Sequence, residues 1–149
     1  MYASGMRSQE VCDLTVGDIQ FYQDKACINV HGKGQKIRRI GIPAAASDIV
    51  KKYIAHRGIS EDKNRHIFSS QIHEKMTVSC IEEIYAKYIR IAKQENPGMF
   101  RNNYTPHSMR HTTATHMLEA GVPLIVVKNF LVTYPCKPLR FIRKFLRKQ

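Results

Sequence analysis

The chain has 149 residues, with 24 Lys or Arg and 12 Asp or Glu, so its formal net charge at pH 7 is +12. This length suits one domain, and the positive excess favours a polyanionic partner, with nucleic acid as the first candidate. The cysteines form no CxxC pair, which argues against a zinc ribbon or a disulfide framework and favours a reducing cytoplasm. No apolar run approaches the ~18 residues of a membrane span, so a membrane partner is not expected.

The first 14 residues predict a short connection that leads into a helix. Arg7 and Glu10 lie three positions apart on that helix. As a surface pair they would contribute at most about 0.5 kcal/mol. Few residues precede Arg7, so we expect the chain to begin inside a larger domain.

Residues 18–43 predict a small antiparallel sheet, in which two strands rich in Ile and Val flank the turn GKGQK. Lys33 lies at the tip of this hairpin. Lys36, Arg38 and Arg39 add positive charge along the same edge. Two interpretations remain open from these residues alone: close approach to a nucleic-acid partner, or a solvated basic turn that protects a sheet edge.

An amphipathic segment at residues 47–57 and a segment with an apolar stripe at 77–95 predict two further helices, and an apolar segment at 123–131 predicts one more. Ile49 is expected on the inward face of the first, and Thr77 is expected to cap the second. The intervening polar segment is irregular, apart from an anchoring strand or turn at Ile67-Phe68.

These segments together predict an α+β fold, mainly α, with a small antiparallel sheet or hairpin. We expect one domain over residues 1–131, followed by a basic tail over residues 132–149 that contains no acidic residue.

The segment TPHSMRHTTATHMLEAG predicts a helix with a clear start at Thr105-Pro106 and a stop at Gly121. His107 and Arg110 lie three positions apart, which places them on one face of that helix. An imidazole beside a guanidinium suits a site that holds a phosphate and exchanges a proton with it.

Two other interpretations of this helix remain open. His111 lies four positions after His107, as in a zinc pair, but no Glu follows His107 and no third ligand stands at a regular spacing. Alternatively, His107 caps the helix beside a surface Arg110, and the arrangement is purely structural.

Taken together, these pieces resemble the catalytic domain of the tyrosine recombinase (phage integrase) family over residues 2–131. The first family motif is present as GMRSQE at 5–10, the hairpin lysine as Lys33 in HGKGQKIRRIGIP, and the His-x-x-Arg box as HSMR at 107–110. Each motif is short, and the resemblance depends on their order and context.

The resemblance implies DNA strand cleavage and rejoining without a metal or other cofactor. Arg7 and Arg110 would clamp the non-bridging oxygens of the scissile phosphate, and Glu10 would position Arg7. Lys33 would protonate the departing 5′-hydroxyl, and His107 would assist proton transfer at the nucleophile. In the family a tyrosine attacks the phosphate and leaves a 3′-phosphotyrosyl link.

The expected function is therefore site-specific recombination or integration of DNA by a mobile element. Double-stranded DNA and further recombinase subunits are the expected partners, with Lys36, Arg38 and Arg39 as additional DNA contacts. The alternative is a binding protein and not an enzyme: a DNA-binding remnant of an integrase. It would occupy sites on DNA or titrate an intact partner. A metal-dependent hydrolase around the two histidines ranks far behind.

The sequence departs from the family pattern after Leu131. Family spacing puts a second histidine at Thr133 and the nucleophile at Ile142, and neither side chain can perform that chemistry. Tyr134 is the tyrosine nearest to the expected nucleophile position. It lies next to position 133, where the second histidine is expected, and directly before Pro135, so we assign it no catalytic role. We expect this chain to be inactive in DNA cleavage.

A shift of reading frame explains this departure. Loss of one base in the Leu131 codon is compatible with the observed tail, and the restored frame can encode a histidine at position 133 and a tyrosine at position 142. We therefore expect residues 132–149 to be a frameshifted tail. The amino-terminal core-binding domain of family members is also expected to be absent.

Overall fold

A computed structural model of the chain describes residues 1–23, 25–32, 37–100, 102 and 104–131. Over these residues the helices are α1 (Ser8–Asp13), α2 (Ala44–His56), α3 (Val78–Glu95), α4 (Pro106–Glu119) and α5 (Leu124–Leu131). The strands are β1 (Ile19–Phe21), β2 (Ala26–His31) and β3 (Ile37–Ile42), and short 3₁₀ helices span Tyr2–Ser4 and Val16–Asp18. The predicted α+β class, mainly helical with a small antiparallel sheet, is confirmed. None of the helices described is long and apolar enough to cross a membrane.

The three strands form one antiparallel sheet in the order β1-β2-β3. Ile28 of β2 pairs with Ile40 of β3 on one side and with Ile19 of β1 on the other. All three side chains are buried, so one face of the sheet is apolar, as strand alternation requires. The predicted hairpin is confirmed, although its tip at 33–36 lies outside the described residues, and β1 was not anticipated.

The core lies between this apolar sheet face and the first helices. It includes Met6, Ile54 and Ile67, and Ile67 has no exposed surface. The Ile67 backbone N–H donates to the Leu14 carbonyl oxygen at 3.0 Å. The anchor predicted at Ile67 therefore ties the irregular segment between α2 and α3 to the end of α1.

The helix α2 begins at Ala44, three residues before the predicted start, directly after Pro43. Its buried residues are Ser47 and Ile54, while Ile49 is exposed. The prediction that Ile49 faces inward is wrong. Ile49 lies two residues after Ser47, and at ~100° per residue this turns it well away from the buried stripe.

The predicted boundaries of the later helices are confirmed closely. Thr77 caps α3, where its Oγ1 accepts a hydrogen bond from the Cys80 N–H at 3.3 Å. Thr105 precedes α4, and its backbone N–H donates to Ser108 Oγ at 3.1 Å. Pro106 is the first residue of α4, a position where its missing N–H is no loss.

Candidate active site

The first part of the site forms where the chain enters α1. The Arg7 backbone N–H donates to Glu10 Oε2 at 2.8 Å, and Arg7 Nη1 donates to Glu10 Oε1 at 3.1 Å. A carboxylate at this position satisfies a free backbone N–H and lies at the positive end of the helix. The Glu10 side chain is 6% exposed and that of Arg7 is 50% exposed. Glu10 is therefore fixed, whereas Arg7 remains accessible.

A second arginine binds the same carboxylate from β3. Arg38 donates from Nη1 to Glu10 Oε1 at 2.8 Å and from Nη2 to Glu10 Oε2 at 2.6 Å. Both side chains are buried, so this is a desolvated, bidentate ion pair. The expectation that Arg38 adds charge to an exposed edge is wrong, because its side chain faces the core.

Strand alternation was the signal that could have separated Arg38 from Arg39. Alternate residues of a strand face the same side, so Arg38 lies on the same face of β3 as Ile40 and Ile42, which are buried. Arg39 points to the other face, where its Nη2 donates to Tyr22 Oη at 2.7 Å. Of the two neighbouring arginines, only Arg39 lies on the partly exposed face.

Arg110 reaches the same region from the middle of α4. Its Nη1 donates to the Gly5 carbonyl oxygen, and its Nη2 donates to the Leu131 carbonyl oxygen at the end of α5. Gly5 lies two residues before Arg7, so the contact brings α4 to the start of the Arg7–Glu10 segment. Only the folded chain shows this contact, because no local sequence pattern indicates it.

The charges in this cluster influence one another. Burial, followed by the nearby charges of Arg7 and Arg38, lowers the pKa of Arg110 to about 10, while Glu10 acts in the opposite direction. Arg110 therefore remains charged at pH 7. Burial by itself would raise the pKa of Glu10, but the hydrogen bonds and charges of Arg38 and Arg7 outweigh it and lower that pKa. Three guanidiniums and one carboxylate leave two excess positive charges, an environment that favours an anion.

The remaining predicted residues lie elsewhere or outside the described part of the chain. His107 is the second residue of α4, exposed and three residues before Arg110, and its ring centroid lies 4.7 Å from that of His111 in an edge-on contact. Lys33 and Lys36 are not among the described residues. Over the residues that are described, no three His, Cys, Asp or Glu side chains form a group that could hold a metal ion.

Comparison with known proteins gives a consistent assignment. The sequence model of the phage integrase family matches residues 1–132. Tyrosine recombinase XerA of Pyrococcus furiosus is 33% identical over 135 residues, which cover 88% of this chain and 43% of the relative. Tyrosine recombinase XerC of Chlamydia caviae is 30% identical over 132 residues, covering 87% of this chain and 40% of the relative. The chain thus spans less than half the length of these relatives.

Solved structures show the same fold. The XerH site-specific recombinase bound to its difH substrate, in a pre-cleavage complex, matches with a TM-score of 0.72 and 26% identity over 87% of this chain and 36% of that one. The XerA recombinase matches with a TM-score of 0.70 and 25% identity, covering 99% of this chain and 54% of that one. The chain therefore belongs to the phage integrase family, and the residues that the structure describes have the catalytic-domain fold of the tyrosine recombinases.

Proposed function

We propose that this chain binds duplex DNA as the phosphate-holding part of a site-specific recombinase, with Arg7 and Arg110 on one phosphate. The observation that carries this proposal is the contact of Arg110 with Gly5, which joins the two arginine-bearing segments. The excess of positive charge around the buried Glu10 supports an anionic ligand. The matched XerH recombinase is itself bound to a difH substrate, which supports DNA as the source of that anion.

Each site residue has a separate proposed role. Arg7 holds the non-bridging oxygens from its exposed side chain, and Arg110, which is 8% exposed and donates to two carbonyl oxygens, exchanges one of those contacts for the phosphate. Planar guanidiniums match the geometry of a phosphate and stabilise charge that develops in the transition state. Glu10 orients Arg7 through the hydrogen bond at 3.1 Å. Lys33 protonates the departing 5′-hydroxyl, and His107 assists the proton transfer of an attacking tyrosine.

Further contacts with the DNA backbone come from the hairpin. Lys36 and Arg39 supply these contacts, Arg39 from the partly exposed face of β3, whereas the buried Arg38 is not available for such a contact. We propose that the chain acts in the cytoplasm, on DNA of a mobile element, together with further recombinase subunits. The family relationship and the positive charge of the chain support these assignments.

The second part of the proposal is that this chain binds DNA without cleaving it. The positions that family spacing gives to the second histidine and the nucleophile hold Thr133 and Ile142. Loss of a proton-transfer group costs typically ~10² to 10⁴ in rate, but loss of the nucleophile removes the covalent route. A missing base in the Leu131 codon accounts for both changes, and the family match ends at residue 132.

Salt dependence tests the binding part. Each neutralised phosphate contributes a slope of about −0.9 to log affinity against log salt. We expect weak, salt-sensitive binding with little sequence preference, and we expect Arg7→Ala to reduce the magnitude of the slope by about 1. Arg65→Ala is the control. Arg65 lies outside the site, and its Nη1 is 3.2 Å from Glu74 Oε1. Tight DNA binding whose affinity does not change with salt concentration would contradict the proposal.

A nicked, suicide-type DNA substrate tests the catalytic part. This chain should give no covalent protein–DNA adduct, and adduct should form once the missing base is restored in the Leu131 codon. An adduct from the unaltered chain that disappears in Tyr134→Phe would show that Tyr134 is a nucleophile and that the proposal is wrong.

A further inference from the structure

The Glu10 carboxylate is shared between two arginines in very different surroundings. Each of its oxygens accepts one hydrogen bond from Arg38 and one from Arg7, through the backbone N–H and Nη1 of Arg7. The contacts with Arg38, at 2.6 and 2.8 Å, match the parallel fork geometry of a bidentate pair. This geometry fixes the plane of the carboxylate as well as its position.

Exposure assigns different tasks to the two arginines. The Arg38 side chain is 4% exposed, and both of its Nη atoms bind Glu10. Arg7 is half exposed and uses only Nη1 of its guanidinium on Glu10, so it keeps donors for a ligand. Arg38 therefore has no direct contact to offer a bound phosphate, and beyond the long-range effect of its charge it acts by way of Glu10 and Arg7.

We propose that Arg38 is a positioning residue, which holds the Glu10 carboxylate in one orientation so that Glu10 directs the Arg7 guanidinium toward DNA. This role rests on the proposed function of Arg7 as a phosphate ligand. Without the fork from Arg38, the Glu10 carboxylate rotates, and Arg7 loses the fixed acceptor that orients it. The buried ion pair of Arg38 and Glu10 then positions the exposed guanidinium of Arg7, in addition to any contribution that it makes to stability.

The charges around Glu10 agree with this role. Burial would raise the pKa of Glu10, and the hydrogen bond from Arg38 is the largest opposing effect, ahead of those of Arg7. Arg110 on α4 is the third positive group that senses this carboxylate. Other titratable groups that line a small cleft beside Glu10 are Asp13, Asp18 and His31.

A double-mutant cycle on the full chain tests the proposal through the DNA affinity, measured with a short fluorescent duplex. Arg7→Ala should weaken binding about tenfold in the unaltered chain, as expected for a charge-assisted contact. In the Arg38→Lys background the same change should cost less than about twofold. Lysine keeps the positive charge and its long-range attraction but cannot form the fork with Glu10.

Arg65→Lys is the matched control background, because Arg65 binds the exposed Glu74 outside the site. There the tenfold cost of Arg7→Ala should persist. An equal cost in the Arg38→Lys and unaltered chains would overturn the positioning role and leave Arg7 as a phosphate ligand. No cost of Arg7→Ala in the unaltered chain would instead refute the proposed function of Arg7, and the positioning role with it.

A measurement on the unaltered chain covers the case in which Arg38→Lys does not fold. Carbon NMR of the Glu10 side chain should show a carboxyl that titrates below the usual range of glutamate. Titration at or above that range would overturn the proposal, because it would mean that Arg38 does not hold the ionised carboxylate in solution.

Discussion

Arg110 donates a hydrogen bond to the carbonyl oxygen of Gly5, a residue 105 positions earlier in the chain. Gly5 has a backbone φ of 58°, in the left-handed region, and a Cβ added there would lie 2.6 Å from Leu131 Cδ2 and 3.0 Å from Phe130 Cε1. The end of α5 therefore packs directly against the residue whose carbonyl binds Arg110. A side chain at position 5 would separate the three segments that meet at the site.

The first prediction concerns this corner. Gly5→Ala should lower the free energy of unfolding by about 2 to 4 kcal/mol, because alanine adds a left-handed backbone cost of ~1 kcal/mol and an overpacking cost of ~1 to 3 kcal/mol. Gly58→Ala is the control, with a φ of 64° and no atom within 4 Å of the added Cβ. Gly58→Ala should lower the free energy of unfolding only by the left-handed backbone cost of ~1 kcal/mol. Equal losses of the two variants in urea denaturation would show that α5 does not pack on Gly5.

The second prediction concerns the contact between α4 and the first 3₁₀ helix. The buried Thr113 donates from Oγ1 to the Tyr2 carbonyl oxygen at 2.8 Å, with the Met109 carbonyl oxygen also within reach at 2.9 Å. Thr113→Val keeps the shape but removes this donor, and should cost about 1 to 2 kcal/mol of unfolding free energy. Thr112→Val, on the exposed side of α4, loses only a bond to the Ser108 carbonyl oxygen and should change it by less than about 0.5 kcal/mol. Chemical denaturation of both variants checks this.

The third prediction concerns pH. Asp18 accepts hydrogen bonds from the Thr15 N–H at 2.9 Å, from Thr15 Oγ1 at 2.7 Å and from His31 Nε2 at 2.8 Å. Burial would raise the pKa of Asp18, but these bonds and the charge of His31 outweigh it and lower that pKa. A lowered carboxyl pKa stabilises the fold above the unfolded value of ~3.9, and this contribution is lost as pH falls through the folded value.

Asp18→Asn should therefore cost about 1 to 2 kcal/mol at pH 7, and its difference from the unaltered chain should shrink below pH ~4. Urea denaturation across a pH series measures that difference. Asp48→Asn, at an exposed position of α2, should show little effect at any pH. A penalty for Asp18→Asn that is constant down to pH 2 would mean that the ionised carboxylate is not what stabilises this turn.

The fourth prediction concerns the irregular segment between α2 and α3. Ile67 is 0% exposed and Ile72 is 86% exposed, although they lie five residues apart. Ile67→Ala should cost about 2 to 5 kcal/mol by creating a cavity, whereas Ile72→Ala should change the free energy of unfolding by less than about 0.5 kcal/mol. Similar small effects of the two substitutions would show that this segment is not anchored in the core.

Local patterns in the sequence predicted most of the elements. Thr105-Pro106 and Gly121 mark the limits of α4 because caps and breakers act over a few residues, and the turn GKGQK marks the hairpin for the same reason. The strand β1 was missed because it has only three residues, which is too few for a periodic pattern.

The candidate site shows the limit of local patterns. The family motifs indicated Arg7, Glu10 and Arg110, but each motif describes only its own segment. Arg38 was misassigned because charge was considered without the alternation of β3. The bonds of Arg110 to Gly5 and Leu131 join residues far apart in the chain, so tertiary packing alone determines them.

Both acceptors that hold Arg110 are main-chain carbonyl oxygens. Every residue type supplies that group, so a substitution of the Leu131 side chain leaves the acceptor at position 131 in place. Mutational drift in the codons from 131 onward therefore does not remove the partners of this arginine. A gene that has lost selection on its later codons can therefore retain an ordered arginine cluster for as long as α4 and α5 fold.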